Sequence, residues 1–507
     1  MADGKINRPY GGVLLLGIFL TPLLSLGHDY ADGIITAKYF RFAEVVGIGL
    51  LLTWMVAWKR NFQFCFRWVD VGVVLFALYG VGSFLLNDFR GETQTLLLIL
   101  LVGLYFVCRG LGGWKVSQRL LFTFVLLLAG SIEAIWGFLQ VYGWADQYHS
   151  LYRLTGSFFN PGPYSGFLAV ILPVALHTLL GPKPLCRVDK IVYGLGVICL
   201  VSIILVLPAG MSRSAWVAAG AGCGVVVWRQ KRSREYVRRG IGRIGRGWKR
   251  CWLGGILLLG LSIGGGLYLL KKDSADGRLL VWKMDLAVMR SQPWLGVGIG
   301  RYPGALGEAQ AVYFANSPAD PREEYVADAP EYGFNEFLQL GGEYGLIGLC
   351  LFLSITGIAS GGLFKRNTQQ TGGVSGALSA FLVFACFSYP LHMLPMAMLF
   401  VLLLAWSVNV GAKGVRIRRW AGQILWLPVM VLGLVAAWRL TEKESLISAA
   451  LHLRGQCRPY YPGQRGGPGS RASVVLRLQP GVLSPAVAGK VAFSDVFLKW
   501  SGAFFLL

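Results

Sequence analysis

Charge is scarce in this chain: 14% of its 507 residues are Asp, Glu, Lys or Arg, 55% are hydrophobic, and the mean hydropathy is +0.56. That balance excludes a water-soluble globular protein and requires lipid as the solvent. The apolar runs carry no alternation of polar and apolar residues, which excludes a transmembrane barrel. Acidic residues are fewest, 25 against 48 Lys and Arg, leaving a net charge of +23. The basic excess sits in short segments between apolar runs, with no nucleic-acid motif beside it, so membrane topology and anionic lipid account for it. The nine cysteines (Cys65, Cys108, Cys186, Cys199, Cys223, Cys251, Cys350, Cys386 and Cys457) include no CxxC pair and no neighbouring His at ligand spacing. A zinc site is thereby excluded, and the cysteines read as buried small apolar residues. No strand and no βαβ unit accompanies the run Gly296-Val-Gly298-Ile-Gly300, which excludes a dinucleotide fingerprint.

What remains is a succession of apolar runs of about 17 to 25 residues, each long enough to cross a hydrocarbon core of roughly 30 Å as a helix. Spans are expected near Gly11–Gly27, Phe40–Trp58, Val71–Leu86, Thr95–Cys108, Leu120–Trp144, Tyr164–Leu180, Ile191–Pro208, Ala215–Trp228 and Leu253–Leu270. Four more follow, near Tyr344–Gly362, Val374–Pro390, Leu394–Val410 and Ile424–Leu440. The fold class is therefore all-α, a polytopic transmembrane helix bundle of about 12 to 13 spans with one large loop between spans, which the resemblance described below implies is periplasmic. The first span reads as a true span rather than a cleavable signal, its apolar core being too long and lacking a small-residue cleavage site. The chain divides into an N-terminal bundle (1–270), the loop (271–342), C-terminal helices (343–440) and a tail (441–507).

Orientation follows from the segment Arg229–Arg250, which holds ten Lys and Arg and so belongs on the cytoplasmic side. By alternation Lys59-Arg60, Arg109 with Lys115 and Arg119, Lys183 with Arg187 and Lys190, Lys365-Arg366, and Lys413 with Arg416, Arg418 and Arg419 fall on the same side. The long loop Lys271–Gly342 falls outside.

Three places at the outer face hold ionisable or hydrogen-bonding residues that a membrane chain keeps only at a cost. The first is Arg153-Leu-Thr-Gly156-Ser-Phe-Phe-Asn160-Pro161-Gly162, where Asn160 either bonds a polar ligand or serves a turn that starts a helix. The second is Met211-Ser212-Arg213-Ser214, which sets a guanidinium beside helix N-terminal amides, a natural seat for an anion. Its bland alternative is a snorkelling arginine. The third is the loop itself, from Asp276-Gly277-Arg278 through Trp282 and Pro293-Trp294-Leu-Gly296-Val-Gly298-Ile-Gly300-Arg301 to Glu331-Tyr332-Gly-Phe334-Asn335-Glu336. An amphipathic pattern at Leu279–Met289 gives it the means to fold over the bundle mouth.

Taken in order, these segments resemble the O-antigen ligase and polymerase superfamily of bacterial envelope glycosyltransferases. The resemblance covers roughly Arg153–Leu353. It rests on Gly156-x-Phe-Phe-Asn160-Pro161, Ser212-Arg213-Ser214, Gly277-Arg278 with Trp282, Pro293-x-x-Gly296-x-Gly298-x-Gly300, and Asn335-Glu336-x-Leu-Gln339 leading to Glu343-x-Gly345-x-x-Gly348. It implies a metal-independent enzyme of the bacterial inner membrane, without a cofactor and with its site facing the periplasm. Such an enzyme takes a glycan from a polyprenyl-diphosphate carrier to a hydroxyl of lipid A core, another glycan or a protein. Arg213 and Arg278 match the family's two essential arginines and would neutralise the departing pyrophosphate. Arg153, Arg301, Asn160 and Asn335 would add phosphate or sugar contacts.

One departure stands out. Ligases of this family carry a His directly before the residue that begins the nine-residue spacer to Gly-x-x-Gly, and here that position is Phe334. A different proton acceptor is required, and Glu336, Glu331 and Asp328 are the carboxylates at hand. Of the five histidines (His28, His149, His177, His392 and His452) none offers itself as a clear substitute, although His149 lies on the outer face. A polysaccharide polymerase would share the donor chemistry. A flippase or transporter would share the span count, but neither an internal repeat nor a pair of broken helices is legible. After Glu444 the composition turns to Gly, Pro and Arg, which reads as disorder or as a shifted reading frame.

Overall fold

A computed structural model describes residues 10–25, 34–59, 65–88, 90–110, 116–147, 152–182, 184–230, 272–316, 320–366, 368–410, 415–416 and 426–443. They form an all-α protein. The helices are α1 (Tyr10–Leu24), α2 (Ile34–Lys59), α3 (Trp68–Leu86), α4 (Glu92–Gly110), α5 (Val116–Val141), α6 (Pro161–Leu180), α7 (Arg187–Val206) and α8 (Arg213–Arg229). After them come α9 (Lys272–Ser291), α10 (Tyr302–Asn316), α11 (Pro321–Val326), α12 (Glu336–Phe364), α13 (Thr368–Ala385) and α14 (Leu394–Val410), then a helical run over 426–443. Among the described residues the only ladder pairs Cys65 with Arg416 and Phe66 with Val415, antiparallel.

Every expected span except Leu253–Leu270 coincides with one of these helices. That span, the basic segment after Gln230, His149 and everything after Lys443 lie outside the described residues. Among the described residues six helices are long and apolar enough to cross a membrane, and three shorter apolar ones accompany them, which makes this a multi-pass membrane protein. The cysteines depart from expectation. Cys108 and Cys199 are buried, but Cys350 is exposed on α12 and Cys186 is exposed where its Sγ caps α7.

Helices α6, α13 and α14 form the centre. From Pro163 to Ala175 every residue of α6 is buried, as an all-round apolar sequence dictates. Helix α13 lies across α8 and α6, and small residues permit the approach. A Cβ on Gly222 would come within 2.6 Å of the Gly376 carbonyl, and one on Gly376 within 2.8 Å of the Gly222 carbonyl. This crossing fixes α8, so Arg213 stands at one end of it and Arg229 at the other. Arg229 donates to the carbonyls of Leu363, Phe364 and Arg366 and to Thr371, closing the end of α12 away from the site.

The described residues of 272–335 fold as a cap with a small core of its own. Leu280, Val281 and Met284 of α9 pack on Tyr302 and Leu306 of α10, with Val326 and Phe334 at the margin. The glycine run fastens the cap to the bundle. Helix α12 is interrupted at Gly345 (φ 64°, ψ −173°), freeing backbone groups that water cannot reach. Val297 and Gly298 donate their N–H groups to the carbonyls of Gly342 and Glu343, at 2.9 and 3.0 Å, and Leu346 donates to Pro293 O at 2.8 Å. Gly296 and Gly345 face each other across this seam, both at positive φ, and a Cβ on Gly345 would lie 2.2 Å from Trp294 O. The Gly-x-Gly-x-Gly pattern is thus the clasp between cap and broken helix.

Candidate active site

Short turns at one end of the bundle bring the site together. The first is Leu207–Gly210, a 3-10 turn followed by Met211 in the left-handed region and Ser212 in extended conformation, so that α8 begins at Arg213. Gly210 presses on the first turn of α6, where a Cβ would meet Ser165 Oγ. The segment around Gly156 and the Arg213 turn are therefore neighbours. Gln140 supports that segment, its Oε1 accepting from the N–H groups of Thr155 and Gly156 at 2.9 and 2.7 Å. Asn160 is the N-cap of α6, its Oδ1 accepting from Gly162 N at 2.9 Å, and Pro161 holds the first helical position. Arg153 is exposed ahead of it.

Arg278 reaches in from α9. Its guanidinium lies 5.2 Å from the centre of the Phe334 ring and donates to Phe387 O, at 3.0 Å, just beyond α13. Phe334 thus serves as a cation–π platform. Burial and the nearby Arg213 guanidinium both lower the Arg278 pKa. Two cations held close in a half-buried place are a site for an anion. Beside them opens a cavity of about 260 Å³, lined by Arg278, Gln310, Asp328 and Phe334 among others.

The third turn was not anticipated. Pro390–His392 forms a 3-10 turn between α13 and α14, and it lays His392 against the first turns of α12. His392 Nδ1 is 3.1 Å from Glu336 Oε1, and Nε2 is 3.4 Å from Glu343 Oε1 and 2.9 Å from Gln339 Nε2. Burial opposes a charged imidazole, but the Glu336 and Glu343 carboxylates outweigh it and push the pKa up to about 10. Tyr332 and Tyr389 stack with ring centroids 4.1 Å apart, His392 tilts on Tyr332, and Phe334 sets its edge to Tyr389. An aromatic wall therefore runs from Arg278 to the imidazole.

Other expected residues lie elsewhere. Arg301 donates to Asn87 Oδ1 at 3.1 Å, tying the clasp to the turn between α3 and α4 and not to the arginine pair. Asn335 is the N-cap of α12, its Oδ1 accepting from Phe337 N and Leu338 N. Glu336 is fully enclosed, one oxygen accepting from Leu391 N at 2.9 Å and the other facing His392. Glu331 is exposed beside Tyr332. His392, which the sequence did not single out, lies in contact with Glu336, Gln339 and Glu343. Its signal was the polar break Ser388-Tyr389-Pro390 between two apolar runs, which alternation assigns to the face of Arg213.

Residues 198–353 match the O-Antigen ligase family. The match covers 156 of the chain's 507 residues, and over that stretch the protein is similar to the O-antigen ligase superfamily. No curated protein matches it. The matched segment runs from within α7 to within α12, so Arg213, Arg278 and the Asn335–Gly348 turns lie in the matched part. His392 comes from beyond it.

Proposed function

We propose that the protein transfers a glycan from a polyprenyl-diphosphate carrier to an acceptor hydroxyl, on the periplasmic face of the bacterial inner membrane, as an O-antigen ligase. The observation that carries this reading is the convergence of Arg213 and Arg278, from two elements and close enough for the Arg213 charge to disfavour that of Arg278. An anionic diphosphate removes that repulsion on binding and gains most from it as its negative charge grows on departure. Guanidiniums suit this task because they stay charged and offer paired donors to phosphate oxygens. The aromatic wall offers an apolar surface to the ring of the sugar, and the Arg213 turn packs through Gly210 on Ser165 of α6, the helix that Asn160 caps. Lipid A core, another glycan or a protein supplies the hydroxyl, and no metal or cofactor has a part.

The test is surface polysaccharide size and linkage in a deletion strain complemented with the native gene, R213A or R278A. Each variant should lower transfer by roughly 10²–10³-fold, the cost of losing one oxyanion-type donor, at unchanged membrane yield. Long polymer left on the carrier identifies the ligase, and acceptors bearing single repeats identify a polymerase. Complementation by both variants overturns the diphosphate site.

A further inference from the structure

The His392 cluster is furnished for both protonation states of one imidazole. Gln339 Oε1 accepts from Gly333 N at 2.9 Å, which leaves its NH₂ group facing His392 Nε2 and Glu343 Oε1, at 2.9 and 3.3 Å. The two carboxylates favour the charged ring, whereas an NH₂ donor at Nε2 calls for a lone pair there, and so supports the neutral ring that forms as pH rises, with its proton on Nδ1 toward Glu336. When Nε2 takes a proton it has Glu343 Oε1 to turn to, 3.4 Å away. Glu336 is tied to the backbone of the same turn through Leu391 N and fixes the ring in either state. Of the three groups His392 is the most reachable: its side chain is 20% exposed, against 0% for Glu336 and 7% for Glu343.

We propose that His392 is the catalytic base, taking the proton of the acceptor hydroxyl on Nε2, with Gln339 holding its neutral form and Glu343 its protonated form. This rests on the glycan-transfer reading above. In the step, the acceptor oxygen bonds to the anomeric carbon as the bond from that carbon to the diphosphate oxygen breaks. The electron pair leaves with the diphosphate toward Arg213 and Arg278, and the hydroxyl proton passes to Nε2. Solvent or the departing diphosphate later removes it. Phe334 lies across the Tyr332–Tyr389 stack from His392, so the imidazole is supplied from the turn between α13 and α14.

The experiment is transfer by the purified full-length protein in bilayer nanodiscs, with a polyprenyl-diphosphate glycan as donor, for H392A and H392Q beside R213A, R278A and E343Q. Loss of a general base predicts that kcat falls by roughly 10²–10⁴-fold, with donor KM within twofold of native. Activity within about fivefold of native in H392A overturns the proposal. If H392A fails to fold, E343Q decides: removing one carboxylate should move the alkaline-rising limb of the pH–kcat profile toward acid, and an unmoved limb overturns the assignment. A dead R213A with an active H392A removes the base and keeps the diphosphate site. A dead H392A with an active R213A and R278A does the reverse.

Discussion

Phe334 holds a backbone conformation (φ 50°) that bulky side chains rarely adopt and that His and Asn adopt several times more readily. The strain is retained because the ring carries Arg278 on its face and Tyr389 at its edge. F334A should therefore keep the fold and weaken donor binding, raising KM for the donor more than it lowers kcat. Steady-state kinetics over donor concentration would show a KM unchanged from native if the platform were idle. Asp285 offers a pH test in the cap. Burial pushes its carboxyl up to about 7, against the pull of the Tyr302 hydroxyl that donates to it. Its folded pKa lies above its unfolded one, so its stabilisation is complete below about pH 4 and is lost as pH rises toward 7. Limited proteolysis within 272–335 should quicken over that interval in the native protein and stay flat in D285N; equal profiles would remove the assignment. At this scale the sequence disclosed the arginines, because a charge beside an apolar run is conspicuous. It concealed His392, because that residue acquires meaning only from Glu336, Gln339 and Glu343, which reach it by packing across 50 residues of chain.

Helices were legible where apolar length decides them, and α3 to α8 begin and end within a few residues of expectation for that reason. The break in α12 was not, since Gly345 reads as one more small residue in an apolar run until the clasp is seen to need its positive φ. Alanine there meets about 1–3 kcal/mol of backbone strain besides a Cβ 2.2 Å from Trp294 O. G345A should lower the melting temperature and abolish transfer together, whereas G357A, where a Cβ meets nothing within 4 Å, should do neither. Thermal unfolding in nanodiscs checks both. The cap was expected as a loop of about seventy residues, and its amphipathic segment is α9. Its remaining order comes from Tyr302 and Leu306, whose partners lie a helix away.

Across the whole molecule the arginine pair and the Arg229 cluster occupy opposite ends of α8, as alternating basic segments require. With native cysteines replaced, D273C and D328C should label in intact spheroplasts with an impermeant maleimide. R187C and K365C should label only after permeabilisation, and the reverse pattern would invert the orientation. The segment that carries the glycine run is fixed twice, to the turn between α3 and α4 through Arg301 and Asn87 and to broken α12 through backbone bonds. A roof bolted to two walls does not swing open. A P293C/L346C disulfide across that seam should accordingly leave turnover intact, and its guest has to slide in sideways. If the donor is the polyprenyl diphosphate proposed above, its isoprenoid never quits the leaflet, only its head passes under the eaves, and supply to the site becomes a matter of two-dimensional diffusion, set by how crowded the membrane is rather than by what is dissolved above it.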